Sequence, residues 1–139
     1  MATEREVPDA SPESLERFFL AWPGTDGPDR FEALLPYTNF VISGPPAEAL
    51  RVAIALCDAA PDDDTLCTLG VAVIEPLIDL HWKAIADAFE AKAKRSSALR
   101  KALSCAWLDI RPSRAGATIE RRLYALIRPE DDVGRRPSG

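Results

Sequence analysis

The sequence is short of the residues that most often carry catalysis and metal binding. It has one histidine, His81, and three cysteines with no CxxC pair among them. A closed zinc site takes four ligands, usually in closely spaced pairs, so no metal is expected. The seven glycines form neither a P-loop nor a GxGxxG turn, and no GxSxG nucleophile elbow occurs. We therefore expect no cofactor and no catalytic residue of these common types.

The cysteines Cys57, Cys67 and Cys105 each adjoin an apolar residue. An odd number of cysteines, in a chain whose first residues contain no apolar signal-peptide core, is typical of reduced thiols. We expect three reduced cysteines packed as small hydrophobic side chains, and a cytoplasmic protein. No run approaches the ~20 apolar residues of a membrane span, so no membrane partner is expected.

The net charge of −5 conceals an uneven distribution. Residues 1–80 hold 15 acidic and 4 basic residues, whereas residues 81–139 hold 7 acidic and 13 basic ones. Such asymmetry is a reason to look for a charged partner. The chain has 139 residues, 47% of them hydrophobic, which suits one soluble domain with its own core.

Apolar residues recur at helical spacing along most of the chain, which predicts an all-α fold. Ser11 is a natural N-cap for a first helix, and residues 46–59 are apolar on nearly every side, which is typical of a central helix. Residues 37–43 have strand-like composition, and we expect an extended stretch or one loose helical turn there. Glu75 and Pro76 predict the start of a new helix.

These elements predict a compact bundle of six or seven helices, with a short HEAT-like stack of antiparallel helix pairs as the more specific alternative. Residues 11–128 are expected to form this single helical domain. Residues 1–10 are expected to be a flexible N-terminus, and residues 129–139 a disordered tail.

Part of the sequence resembles a known family. The matching positions are Pro61, Asp62, Asp63, Leu69, Pro76, Leu77, Asp79, Leu80, His81, Leu99, Leu103 and Trp107. On these residues, the stretch 58–109 resembles a family of short bacterial proteins classed as a domain of unknown function. The chain departs from that pattern at Glu75 and Trp82, where the family has glycines. The resemblance implies an all-α fold and a bacterial, cytoplasmic setting, and it carries no activity or catalytic residue.

We expect a non-catalytic interaction domain of the bacterial immunity or inhibitor type, or an accessory protein, whose charged helical surface binds a partner protein, with a basic partner favoured. The expected contact residues are Asp62, Asp63, Asp64, Glu75, Asp79 and, as an aromatic anchor, Trp82. Two structural alternatives stay open. The three consecutive aspartates suit the N-terminus of a helix, and Trp82 suits the core.

Two other functional classes stay open. The basic C-terminal half suggests nucleic-acid contact through Arg114, Arg121 and Arg122, because arginine recognises phosphate. The less favoured class is an enzyme centred on Glu75, Asp79 and His81. The sequence leaves the oligomeric state open.

Overall fold

The computed structural model describes residues 7–23 and 29–106 and places them in helices joined by short connections. The helices are α1 (Pro12–Leu20), α2 (Asp29–Ala33), α3 (Leu35–Ser43), α4 (Pro46–Ala59), α5 (Asp63–Leu69), α6 (Glu75–Arg95) and α7 (Ser97–Cys105), with a π-helical segment (Gly70–Ile74) between α5 and α6. No strand occurs in this described part of the chain. The all-α bundle is confirmed.

Three helices begin at polar side chains that act as N-caps, and one of them is the predicted Ser11. The Ser11 hydroxyl accepts a hydrogen bond from the Ser14 N–H at 3.3 Å. Asp62 caps α5, and the Ser96 hydroxyl accepts from the Leu99 N–H at 3.0 Å to begin α7. Each cap satisfies a backbone N–H that has no partner inside its helix.

The sequence-based prediction of a new helix at Glu75 is wrong, because α5, the π segment and α6 form one continuous helix, Asp63–Arg95. Pro76 lacks the N–H that would bond to the carbonyl of the residue four before it. Immediately before this proline the helix widens, and the Glu75 N–H donates to the Gly70 carbonyl five residues back. Because α5 and α6 are successive parts of one helix, they do not form an antiparallel pair of the expected stack.

Residues 37–43 are not extended, and this prediction is corrected by a regular helix, α3. Pro36 lies in the first turn, where a proline costs no intrahelical hydrogen bond. Four of the strand-like residues face the core, where Val41 is fully buried and Phe40 nearly so, whereas the β-branched Ile42 is exposed. Tertiary packing therefore outweighs the weak local preference for a strand.

The core lies where α4 and α6 meet α3 and α7. Its largest fully buried side chains include Leu56 on α4, Leu77 and Phe89 on α6, and Leu99 on α7. The expectation of a central helix over residues 46–59 is met, since α4 buries six of its residues against its neighbours.

Among the described residues, one helix has the length and composition of a membrane span. It is Asp63–Arg95, 33 residues long, with an 18-residue window of mean hydropathy 1.2. Half of that window is buried inside the fold, which is the pattern of a central bundle helix. Packing within the bundle therefore accounts for its apolar content, and the cytoplasmic location stays a prediction.

Two of the three cysteines are not free thiols. A disulfide joins Cys67 on α5 to Cys105 at the end of α7, with 5.1 Å between their Cα atoms, and this corrects the expectation of three reduced cysteines. The pairing was not evident at the level of sequence, because the two residues are 38 positions apart. Cys57 alone matches the prediction, as a free and buried thiol.

The predicted boundaries fall partly outside the described residues. Residues 129–139 lie outside them altogether, as do residues 107–128 of the predicted helical domain. Of the predicted N-terminal segment 1–10, residues 7–10 are described, and Ala10 packs against the core.

Candidate protein-interaction face

The three consecutive aspartates have three different environments. Asp62 accepts a hydrogen bond from the Thr65 N–H at 2.9 Å and so caps α5. Thr65, through its side chain and its backbone N–H, holds the pKa of the Asp62 carboxyl below its usual value. Asp64 pairs with Arg30, its Oδ2 lying 2.8 Å from Nη1. Asp63 is exposed and has no ion pair within the described part of the chain.

Arg30 joins three parts of the fold and is only 7% exposed. Its Nη1 donates to Asp64 on α5, and its Nε donates to the Pro23 carbonyl at 3.0 Å. Its guanidinium lies 4.9 Å from the centre of the Trp22 ring, a cation–π contact. A buried arginine with these partners fixes the start of α2 against both the end of α1 and the start of α5. No sequence motif marks Arg30, although it is one of only four basic residues among residues 1–80.

The Arg30–Asp64 pair brings acidic residues from two helices to one end of the molecule. Asp29 and Glu32 on α2 are both exposed, as are Asp62 and Asp63 beside the start of α5. No basic side chain other than the buried Arg30 occurs in either of these two short segments. The charged side chains that these two segments expose are therefore all acidic.

An exposed apolar stripe begins beside these carboxylates. Phe31 is 49% exposed, and Leu35 and Ile42 are each 47% exposed. Leu35 and Ile42 are seven residues apart and so share one side of α3. Phe31 lies one helical turn before Leu35, across a junction at Leu34 whose backbone stays in the right-handed helical region. We call the stripe Phe31, Leu35 and Ile42, together with Asp29, Glu32, Asp62 and Asp63, the acidic–apolar face.

Glu75 and Asp79 do not join this face. They are half-buried on α6, and at 1.5 Å per residue they lie about 18 Å and 24 Å along the helix from Asp63. The acidic residues that were expected to form one contact surface therefore lie in two separate places. One is the start of α5 and the other is the first part of α6.

Trp82 is a core residue, which corrects its expected role as an exposed aromatic anchor. It is only 6% exposed and packs edge-to-face on Phe89, with 6.0 Å between the ring centres. The periodicity of α6 explains the burial, because Ile78, Ile85 and Phe89 continue the same inward side of the helix. The alternative of a core tryptophan is the one observed.

His81 connects α6 to the C-terminal half of α3. Its Nε2 donates to the Val41 carbonyl at 2.8 Å. Asp79 is two residues away on the same helix, a spacing at which side chains do not face one another. The helix therefore does not bring Asp79 and His81 together as an acid–base pair, and the enzyme hypothesis remains untested.

The nucleic-acid hypothesis depends largely on residues that the structure does not describe. Arg114, Arg121 and Arg122 all lie outside the described residues. Arg100, an earlier arginine of the basic half, donates from Nη1 to the Ala93 carbonyl at 2.8 Å and to the Lys94 carbonyl at 3.2 Å. Its guanidinium thus caps the C-terminus of α6, a position that suits a cation.

Within residues 7–23 and 29–106, no group of three or more histidine, cysteine, aspartate or glutamate side chains is placed to hold a metal ion. The chain matches no protein-family model, no curated protein and no solved structure. The resemblance of residues 58–109 to an uncharacterised bacterial family therefore stays a prediction.

Proposed function

We propose that this chain is a non-catalytic interaction protein, of the bacterial immunity or inhibitor type or an accessory subunit, that binds a basic partner protein through the acidic–apolar face. The observation that carries the proposal is the exposed stripe of Phe31, Leu35 and Ile42 beside carboxylates from two helices. Protein interfaces commonly combine a central apolar patch with a charged rim.

Each part of the face has its own role in binding. Burial of the three half-exposed apolar side chains supplies affinity, because it removes apolar surface from water. The carboxylates attract a basic partner over a distance and speed its association, and this effect weakens as salt screens the charges. The buried Arg30 holds α2 against α5, so both parts of the face are organised before the partner arrives.

The test is co-expression of the tagged protein with the product of the adjacent gene, followed by co-purification. We expect a near-stoichiometric complex with the wild-type chain and its loss with Glu32→Lys/Asp63→Lys, which reverses two exposed charges of the face. Leu35→Ser/Ile42→Ser should also abolish the complex. The matched control is Glu13→Lys/Glu16→Lys, which makes the same net charge change on exposed residues of α1 and should retain it.

Equal co-purification of the face variants and the control would contradict the proposal, provided circular dichroism shows that all of them are folded. An absence of any complex with the wild-type chain would also contradict it. The nucleic-acid alternative is tested separately by gel-shift titration at low salt. It requires a complex that weakens when Arg121 and Arg122 are replaced by alanine.

A further inference from the structure

A second surface lies in a groove between α4 and α6. Its volume is about 410 Å³. Leu50 and Ile54 on α4 face Ala88 and Ala91 on α6 across it. Small side chains leave room for an approaching helix, since the distance between packed helices depends on the side chains at the contact.

The border of the groove is positively charged. Arg51, Lys92 and Arg95 line it, and no acidic residue does. Arg51 also pairs with Glu48 on its own helix. Lys92 and Arg95 have no carboxylate partner among the described residues. Both lie in the last turn of α6, where cations also offset the negative end of the helix dipole.

The groove is complementary to the acidic–apolar face in both charge and hydrophobicity. One surface has an apolar floor with cations on its border, and the other has an apolar stripe with carboxylates at one end. The two share no residue, so both can be engaged in one molecule. Contact between unlike patches of identical chains is a heterologous, head-to-tail contact.

We propose that the groove between α4 and α6 binds the acidic–apolar face of a second copy of this chain. In that contact α2 and α3 of one copy lie along the groove of the other. Phe31, Leu35 and Ile42 cover Leu50 and Ile54, and the carboxylates of the face meet Lys92 and Arg95. The proposal rests on the proposed function, because it uses the same face, and self-association then competes with binding of the partner protein.

The test uses two charge-reversal variants of the full chain. Each is measured alone and in an equimolar mixture, by sedimentation equilibrium at low and high salt. The groove variant is Lys92→Glu/Arg95→Glu, and the face variant is Glu32→Lys/Asp63→Lys. Wild-type chain should associate reversibly, and less so at high salt. Each variant alone should associate about tenfold more weakly or not at all, because like charges then meet. An equimolar mixture of the two should associate again, because opposite charges are restored at the contact.

The control for the groove is Lys94→Glu/Lys101→Glu, which makes the same charge change on exposed residues that do not line it. This control should associate like the wild-type chain. If it loses association equally, a general charge effect explains the result and the proposal is overturned. Failure of the mixed variants to associate also overturns it.

A wild-type chain that stays monomeric at every concentration would overturn the self-association. Partner capture that still depends on Glu32 and Asp63 would leave the proposed function standing. The two proposals can therefore fail independently.

Discussion

Gly70 in the π segment lies directly against the backbone of Ala102 in α7. A methyl group on Gly70 would overlap the Ala102 carbonyl oxygen. Both residues are fully or nearly buried, so neither helix can move aside into solvent. The absence of a side chain at residue 70 is what allows the two helices to approach so closely.

We expect Gly70→Ala to lower the free energy of unfolding by about 2 kcal/mol, as overpacking does elsewhere. A loss of stability would be informative, because replacing glycine by alanine inside a helix otherwise stabilises it by about 0.5–1 kcal/mol. Ala84→Gly, at an exposed position of α6, measures that backbone contribution separately. Urea denaturation of both variants is the measurement, and a more stable Gly70→Ala protein would contradict the close contact.

Removing Arg30 should destabilise the fold more than removing Asp64, its partner in the ion pair. Arg30→Ala removes a nearly buried cation together with its contacts to Pro23, Trp22 and Asp64, and we expect it to cost about 2–3 kcal/mol. Asp64→Asn removes only the exposed partner, whose side chain is 58% exposed, and should cost less than about 1 kcal/mol. If urea denaturation shows the same loss of unfolding free energy for both variants, Arg30 acts through Asp64 alone.

The Cys67–Cys105 disulfide should stabilise the fold by restricting the unfolded chain. For a loop of this length the expected contribution is roughly 3–4 kcal/mol, and dithiothreitol should remove it. Cys67→Ser/Cys105→Ser should show the reduced stability without reductant and should be insensitive to its addition. Alkylation in denaturant without reductant, followed by mass spectrometry, provides the direct check, and three alkylated thiols would contradict the disulfide.

Cys57 should be unreactive in the folded protein. It is 1% exposed, and burial, followed by the nearby charge of Asp58, raises the pKa of its thiol to about 12. Little thiolate is then present at neutral or mildly alkaline pH, and the thiolate is the reactive species. We expect no alkylation of Cys57 by iodoacetamide at pH 8 until denaturant is added. Rapid alkylation in the native state would contradict its burial.

The Asp62 cap should make stability depend on pH in the acid range. Its pKa is lower in the folded chain than in the unfolded one, so its contribution is present above the unfolded value of about 3.9 and is lost as pH falls through the folded value. The difference in Tm between wild-type chain and Asp62→Ala should therefore be constant near neutral pH and vanish in acid.

Asp62→Asn is the informative companion to this variant, because asparagine also caps helices but does not ionise. It should retain most of the stability at neutral pH. The matched control, Asp63→Ala, removes an exposed carboxylate that caps no backbone N–H. A Tm difference for Asp62→Ala that persists unchanged in strong acid would contradict the ionised cap.

The sequence indicated the local features of this fold and missed several of its contacts. Caps at Ser11, Asp62 and Ser96 are local, because a cap and its N–H partner are three residues apart. The sequence indicated Ser11 itself and placed a helix N-terminus at the three consecutive aspartates. The Arg30 pair with Asp64 spans 34 positions, and neither residue has a neighbour that indicates the other. The exposed stripe of α3 was equally hidden, since its strand-like composition gives no helical phase from which to assign an outer side.

The sequence by itself determined that the described residues form helices, where most of them begin, and that α4 is central. Spacing and capping act within a few residues, so no distant information is needed for these features. Only the tertiary structure decided that the helix continues through Pro76, that Trp82 is buried and that Cys67 meets Cys105. It also decided which acidic residues share a surface. Each of these depends on which helix packs against which, a choice made by the whole core.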